Sequence, residues 1–134
     1  MRPHVIALSL FLAPTLAGAH GMRTAYFELT ETAPGVLQAE LKLPLADPNV
    51  TPVLPDGCDG ALPPTDLTRS FVVRCDGSLR DRPIALRGLG PVVSDAVVRV
   101  AFADGSVASR VLTPERSAWV VPATARPDSR VAAA

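Results

Sequence analysis

Apolar and polar residues alternate along most of the chain, and this two-residue period is typical of a β-strand with one buried face. The alternation is clear in residues 25–30 and again in residues 37–43. The turn-forming Ala33-Pro34-Gly35 lies between these segments, which are therefore predicted to form a hairpin. The Asp104-Gly105 pair predicts a second, two-residue hairpin turn, because both residues tolerate positive φ. Five further strands are predicted at residues 70–75, 83–89, 95–102, 106–112 and 117–121.

Residues that interrupt regular structure fill the interval between the second and third predicted strands. The segment from Pro44 to Thr68 is rich in proline and glycine, and is predicted to be a long loop without regular ladders. The whole pattern predicts an all-β fold, an immunoglobulin-like β-sandwich of about seven short antiparallel strands with one disulfide. This domain is predicted to span residues 20–122, followed by a disordered C-terminal tail at residues 123–134.

The first nineteen residues follow the pattern of an export signal. Arg2 gives a positive start, an apolar run extends over residues 5–16, and Ala17-Gly18-Ala19 offers small residues for cleavage. The apolar run is shorter than the roughly 20 residues that a membrane-spanning helix needs. Residues 1–19 are therefore predicted to be a cleaved signal peptide, which places the mature chain in the periplasm or outside the cell.

The charge balance limits the kinds of partner that the chain attracts. Thirteen basic and thirteen acidic residues give a formal net charge of zero. The basic residues are scattered, so no long-range field or basic stripe for nucleic acid is expected. Beyond the predicted signal peptide no segment is apolar enough to span a membrane. A soluble mature protein that does not bind nucleic acid is therefore expected.

The chain contains two cysteines, Cys58 and Cys75, and both belong to the predicted exported part. An oxidising compartment favours a disulfide between them. Closing a loop of this size restrains the unfolded chain by roughly 3 kcal/mol. A metal site built on the two thiols is the alternative, but no histidine stands near either cysteine at ligand spacing. The predicted disulfide would attach the proline-rich loop to the sheet.

Residue patterns typical of enzymes are absent from the sequence. A nucleophile and base pair needs a histidine, and His20 would be the one histidine of the mature chain. If cleavage exposes His20 as the first residue, its α-amine and imidazole could bind copper(II), and Met22 could bind copper(I). The ordinary interpretation is that His20 merely follows the cleavage site. The chain is therefore predicted not to be an enzyme, with a small copper or nickel carrier using His20 and Met22 as the alternative function.

Several segments, taken in order, resemble one protein family. They are residues 20–29, 55–58, 69–79, 84–89, 95–100, 104–105 and 112–114. In this order they resemble the extracytoplasmic N-terminal region of HupE/UreJ-type membrane proteins. The resemblance implies an exported β-domain. The family is associated by name with hydrogenase and urease accessory functions, and hence with nickel. Family members continue into several membrane helices that carry a histidine- and aspartate-containing motif.

That part of the family has no counterpart in the sequence, which ends at Ala134. No metal-binding residue can therefore be transferred from the membrane helices to this chain. The expected function is that of a non-enzymatic periplasmic accessory or interaction domain. The expected partner is a membrane protein encoded beside it or once fused to it.

Overall fold

The computed structural model describes residues 23–60, 67–124 and 126–127. Every regular element within these ranges is a β-strand, which confirms the all-β prediction. No helix in the described part of the chain is long and apolar enough to cross a membrane. The strands are β1 (Thr24–Ala33), β2 (Val36–Lys42), β3 (Thr51–Val53), β4 (Cys58–Asp59), β5 (Thr68–Cys75), β6 (Pro83–Arg87), β7 (Asp95–Ala101), β8 (Ser106–Leu112), β9 (Ala118–Val120) and β10 (Arg126–Pro127).

The strands form two sheets that share one hydrophobic core. The large sheet has seven strands in the order β10-β8-β7-β1-β2-β5-β4, and the small sheet has the order β3-β6-β9. Inward residues of β1, β2, β5, β7 and β8 face this core from the large sheet, and Ile84 and Leu86 face it from the small one. Because each strand of the large sheet has one buried face, its sequence alternates as observed.

One strand pair differs from the antiparallel arrangement predicted for the whole sheet. β1 and β7 run parallel, with Ala25 beside Ala96 and Leu29 beside Val100. A parallel pair needs a long connection, and here the connection contains all the strands from β2 to β6. The prediction of a wholly antiparallel sheet was therefore wrong. Side-chain alternation is the same in both kinds of pair, so it does not reveal strand direction.

Two glycines with positive φ form the hairpin turns. Gly35 has a φ of 72° and follows Pro34 in the turn between β1 and β2, as predicted. Gly105 has a φ of 87° in the turn between β7 and β8. The second turn is longer than predicted, because the backbone N–H of Phe102 bonds to the carbonyl of Ser106 and leaves three residues between them. Only the last of the three takes positive φ, as is common in three-residue hairpin loops.

The proline-rich segment contains two short strands, although it was predicted to have none. β3 lies at the edge of the small sheet and contains Pro52, which stands beside Leu86 of β6. An edge strand needs hydrogen bonds on one side only, so it tolerates a residue without an N–H. β4 lies at the edge of the large sheet, where the disulfide holds it on β5. The prediction of a loop without ladders was therefore wrong at these two places.

The predicted domain boundaries fall partly outside the described residues. The signal peptide at residues 1–19 lies there, as does most of the tail predicted at residues 123–134. Two tail residues, Arg126 and Pro127, form β10 and pair antiparallel with Val107 and Ser106. The large sheet therefore continues beyond residue 122, the predicted end of the domain.

Candidate functional site: a groove between two strand edges

The predicted disulfide between Cys58 and Cys75 is confirmed, and the described residues contain no free cysteine. The two cysteines stand directly opposite each other on β4 and β5, and both are half-buried. Arg82 lies beside the bond, with its Nη1 donating to Cys58 Sγ at 3.8 Å and its Nη2 donating to Asp76 at 2.5 Å. The disulfide therefore joins β4 to the sheet, and Arg82 links this corner to the start of β6.

The predicted metal ligands His20 and Met22 both lie outside the described residues. Among the described residues no cluster of three or more histidine, cysteine or acidic side chains is placed to hold a metal ion. A copper or nickel site at the mature N-terminus therefore stays a prediction.

An open groove lies between β8 of the large sheet and β9 of the small sheet. We call it the edge groove, and its volume is about 610 Å³. A second depression of about 330 Å³ adjoins it, and Arg110 and Trp119 line both. The residues that line the edge groove are Arg110, Leu112, Glu115, Arg116, Ser117, Ala118, Trp119 and Val120.

The register of β8 explains why a charged side chain lies at this groove. Ala108, Arg110 and Leu112 occupy the inward-facing positions of the strand, since they pair with Val100, Val98 and Ala96 of β7. Ala108 and Leu112 are buried, but Arg110 between them is exposed. A guanidinium at an inward position can remain in water only where the two sheets are not closed over it. Arg110 therefore marks the open side of the fold.

Trp119 forms the opposite wall of the groove. It pairs with Ile84 in the ladder between β6 and β9, is half-buried, and packs against the core. The expectation that Trp119 packs on the sheet is confirmed. Its place in the wall of a groove, beside Arg110, depends on the approach of the two sheets, which no local pattern of residues predicts. Val120, its neighbour, turns to solvent and is 59% exposed.

The strand edges that border the groove are open within the described part of the chain. β9 is the last strand of the small sheet, and β10 pairs with β8 only at Ser106 and Val107. From Ala108 onward no described strand pairs with the outer edge of β8, and Pro122 and Thr124 line a depression together with Ala108 and Arg110. Open edges present backbone N–H and C=O groups that another extended chain can bind.

A cluster around Arg80 links the hairpin between β7 and β8 to the backbone at Ala123. The Arg80 guanidinium stacks over the Phe102 ring at 3.9 Å and donates to Asp104 Oδ2 at 3.0 Å. It also donates to the carbonyl of Ala123 at 3.2 Å. The backbone N–H of Ser106 donates to Asp104 Oδ1 at 2.8 Å, and the Ser106 hydroxyl donates to the same atom. This cluster fixes the backbone that leads from β9 to β10.

The Asp104 carboxylate should make the stability of the fold depend on pH in the acid range. Hydrogen bonds from the Ser106 hydroxyl and backbone, together with Arg80, hold the pKa of Asp104 below its ordinary value. A lowered folded pKa contributes stability above the unfolded pKa of about 3.9, and this contribution is lost as pH falls through the folded pKa. We therefore expect Asp104→Asn to weaken the decrease in unfolding free energy below about pH 4.

Urea unfolding at a series of pH values measures this effect. Ser106→Ala is the matched variant, because it removes the largest cause of the shift and keeps the carboxyl group. It should also weaken the acid dependence. Identical acid dependence in the wild type and both variants would contradict the assignment.

The edge groove combines an exposed guanidinium, a half-buried indole and two open strand edges. Arginine and tryptophan are the residue types most enriched at the energetic centres of protein interfaces. Arg116 adds a second cation at the groove, and Glu115 is its one acidic residue. The arrangement therefore suits an extended chain that carries a carboxylate. Comparisons with models of protein families, with curated proteins and with solved structures find no match for this chain.

Proposed function

We propose that the chain is a non-enzymatic accessory domain of the bacterial periplasm that binds an extended segment of a membrane protein. The observation that carries the proposal is the edge groove, where Arg110 and Trp119 stand between two open strand edges. The resemblance to the soluble region of HupE/UreJ-type proteins supports a membrane protein as the partner. The proposal includes removal of residues 1–19 as a signal peptide on export.

The disulfide supports the proposed compartment. Cys58 and Cys75 are joined, and stable disulfides are typical of the periplasm and rare in the bacterial cytosol. The proposal also includes an immunoglobulin-like β-sandwich as the architecture. Two sheets that cover a single core support it.

The groove favours an extended, carboxylate-bearing segment over a folded partner surface. The part of β8 that lines the edge groove, Arg110 and Leu112, pairs with no described strand on its outer side, so an extended segment that binds there would continue the large sheet. The indole of Trp119 offers a flat apolar contact, and the Arg110 guanidinium offers two parallel donors to a carboxylate. Backbone bonds would supply affinity, and the two side chains would supply selectivity.

Site-specific photo-crosslinking in the native cell envelope tests the proposal. A photoreactive amino acid at Val120 should crosslink an integral membrane protein, because Val120 lines the groove and is 59% exposed. The control position is Val72, which is also a valine, lies on β5 and is 45% exposed. The crosslink should form from Val120 and be absent from Val72.

A second substitution shows whether the crosslink depends on the groove chemistry. Arg110→Glu, combined with the probe at Val120, should reduce the yield about tenfold or more, because it reverses the charge offered to the partner. Arg110 is exposed, so the variant should fold like the wild type. Equal yields with and without Arg110→Glu, or the same products from Val72, would contradict the proposal.

A further inference from the structure

The protein has an exposed surface besides the edge groove, on the side of the large sheet that faces away from the core. We call this side of β8, β7, β1, β2 and β5 the outer face. Tyr26 of β1 stands beside Val97 of β7, which in turn stands beside Val111 of β8. Tyr26 is 44% exposed and Val111 is 53% exposed. These three side chains form an apolar row across three neighbouring strands.

A charged row lies next to the apolar row on the same face. Arg99 of β7 stands beside Glu28 of β1, and Glu28 stands directly opposite Glu40 of β2. Two carboxylates opposite each other on adjacent strands repel, which is unfavourable for the sheet. Lys42 lies 3.0 Å from Glu40, and this contact raises the pKa of Lys42. The row therefore carries positive charge on β7, and its negative charge is concentrated on β1 and β2.

We propose that the outer face binds the outer face of a second copy of this chain. The two-fold axis of this dimer lies between the two facing sheets, parallel to the strands and level with the gap between β1 and β7. Rotation about such an axis places β1 of one copy over β7 of the other and keeps each row at its own level. Arg99 then lies over Glu28 of the second copy, and the symmetry repeats this contact. In the neighbouring row Tyr26 lies over Val97 of the second copy, also twice.

Charge complementarity favours this axis over three neighbouring axes that are also parallel to the strands. An axis along β1 would place Glu28 over its own copy, and an axis along β7 would do the same for Arg99. An axis between β1 and β2 would place Glu28 over Glu40 of the second copy. Each of these brings like charges together, which is costly at an interface. The axis between β1 and β7 pairs opposite charges and apolar side chains at the same time.

The residues farther from the axis are compatible with the same arrangement. β8 lies over β2 of the second copy, so Ser109 meets Glu40 and can donate a hydrogen bond to it. Val111 meets Lys42 of the second copy, whose aliphatic stem can cover a valine. Stacked sheets cross at about 30°, so contacts near the axis should be the closest. Arg99, Glu28, Tyr26 and Val97 are therefore the central residues of the interface.

The size of the face sets the expected strength of the dimer. Five strands about 4.8 Å apart and about seven residues long cover roughly 20 Å by 20 Å. Two such faces give roughly 800 Å² in total, below the roughly 1,200–2,000 Å² of stable interfaces, so we expect weak, reversible association with a dissociation constant of roughly 1–100 µM. The outer face lies on the opposite side of the large sheet from the core, and the proposal does not depend on the proposed function of the edge groove.

Charge reversal combined with sedimentation equilibrium tests the dimer. The purified chain is measured over a concentration range that spans roughly 1 µM to 1 mM. The wild type should shift from monomer to dimer within that range. Arg99→Glu and Glu28→Arg should each remain monomeric, because each places like charges at both symmetric contacts.

Mixing the two single variants separates contacts between copies from contacts within one chain. In a mixed pair every central contact is again between opposite charges, so an equimolar mixture should form a heterodimer. The double variant Arg99→Glu/Glu28→Arg should form a homodimer for the same reason. Arg74→Glu is the control, since Arg74 is exposed on β5 far from the axis and its reversal should leave dimerisation unchanged.

Three outcomes would overturn the proposal. They are a wild type that stays monomeric over the whole range, single variants that dimerise like the wild type, and a mixture of the single variants that stays monomeric. Thermal unfolding of each variant at low concentration shows whether the monomer is folded. A folded single variant that fails to associate, followed by association of the mixture, would support this interface.

Discussion

Replacing Phe27 with alanine is expected to lower the free energy of unfolding by about 3–5 kcal/mol. Phe27 is fully buried on β1, which lies at the centre of the large sheet between β7 and β2. Its ring stacks with that of Phe71, with the ring centres 6.3 Å apart. Truncation removes this contact and leaves a cavity that a rigid sheet cannot fill.

Tyr26→Ala provides the matched control for this prediction. Tyr26 is the preceding residue of the same strand, but it lies on the outer face and is 44% exposed. In dilute solution its truncation should cost less than about 1 kcal/mol. Urea unfolding followed by the fluorescence of Trp119, the single tryptophan, measures both variants. Equal losses for the two variants would contradict the assignment of an inner and an outer face to β1.

The strands with one buried face were predictable from the sequence. β8 spans Ser106–Leu112, the same residues that the alternation predicts, and β2 and β7 agree with their predictions to within a residue or two. β5 begins two residues earlier than predicted, at Thr68. The reason is Arg69, a charged residue that nevertheless occupies an inward position opposite Leu41 and is buried. The apolar alternation ends at such a residue although the strand continues.

The arrangement of the strands was less predictable than their existence. Alternation reports which face of a strand is buried, but it does not report which strand lies beside it. The parallel pair of β1 and β7 and the two-sheet order follow from long-range contacts that no local pattern encodes. β3 and β4 are too short to show alternation at all. β3 pairs with β6 and β4 pairs with β5, so the partner strands of both are remote in sequence.

The candidate site was predictable only in part. The disulfide followed from the cysteine count and the predicted compartment, and Trp119 was expected to pack on the sheet. The role of Arg110 was missed, although its place between Ala108 and Leu112 on the inward side of β8 could have indicated it. A cation in an apolar series does not by itself mark an opening, however, because Arg69 takes such a position on β5 and is buried. Trp119, which lies across the groove from Arg110, belongs to the small sheet. The sequence does not reveal that β8 and β9 border the same groove.

Removing the disulfide is expected to destabilise the fold by about 3 kcal/mol. Cys58 and Cys75 lie 17 positions apart in the sequence, and the bond restricts this part of the unfolded chain. In the folded state β4 is two residues long, so few ladder hydrogen bonds hold it on β5 without the bond. The double variant Cys58→Ala/Cys75→Ala should therefore unfold at a lower urea concentration than the wild type.

Addition of a reductant separates loss of the bond from loss of the side chains. The wild type unfolded in the presence of a dithiol should approach the midpoint of the double variant, because both then lack the bond. The double variant should not respond to the reductant, since it has no cysteine and therefore no disulfide to reduce. If the double variant instead unfolds at the same urea concentration as the oxidised wild type, the bond does not contribute to the free energy of unfolding. β4 would then be held by its ladder with β5 and by the close approach of Gly60 to Phe71 and Val73.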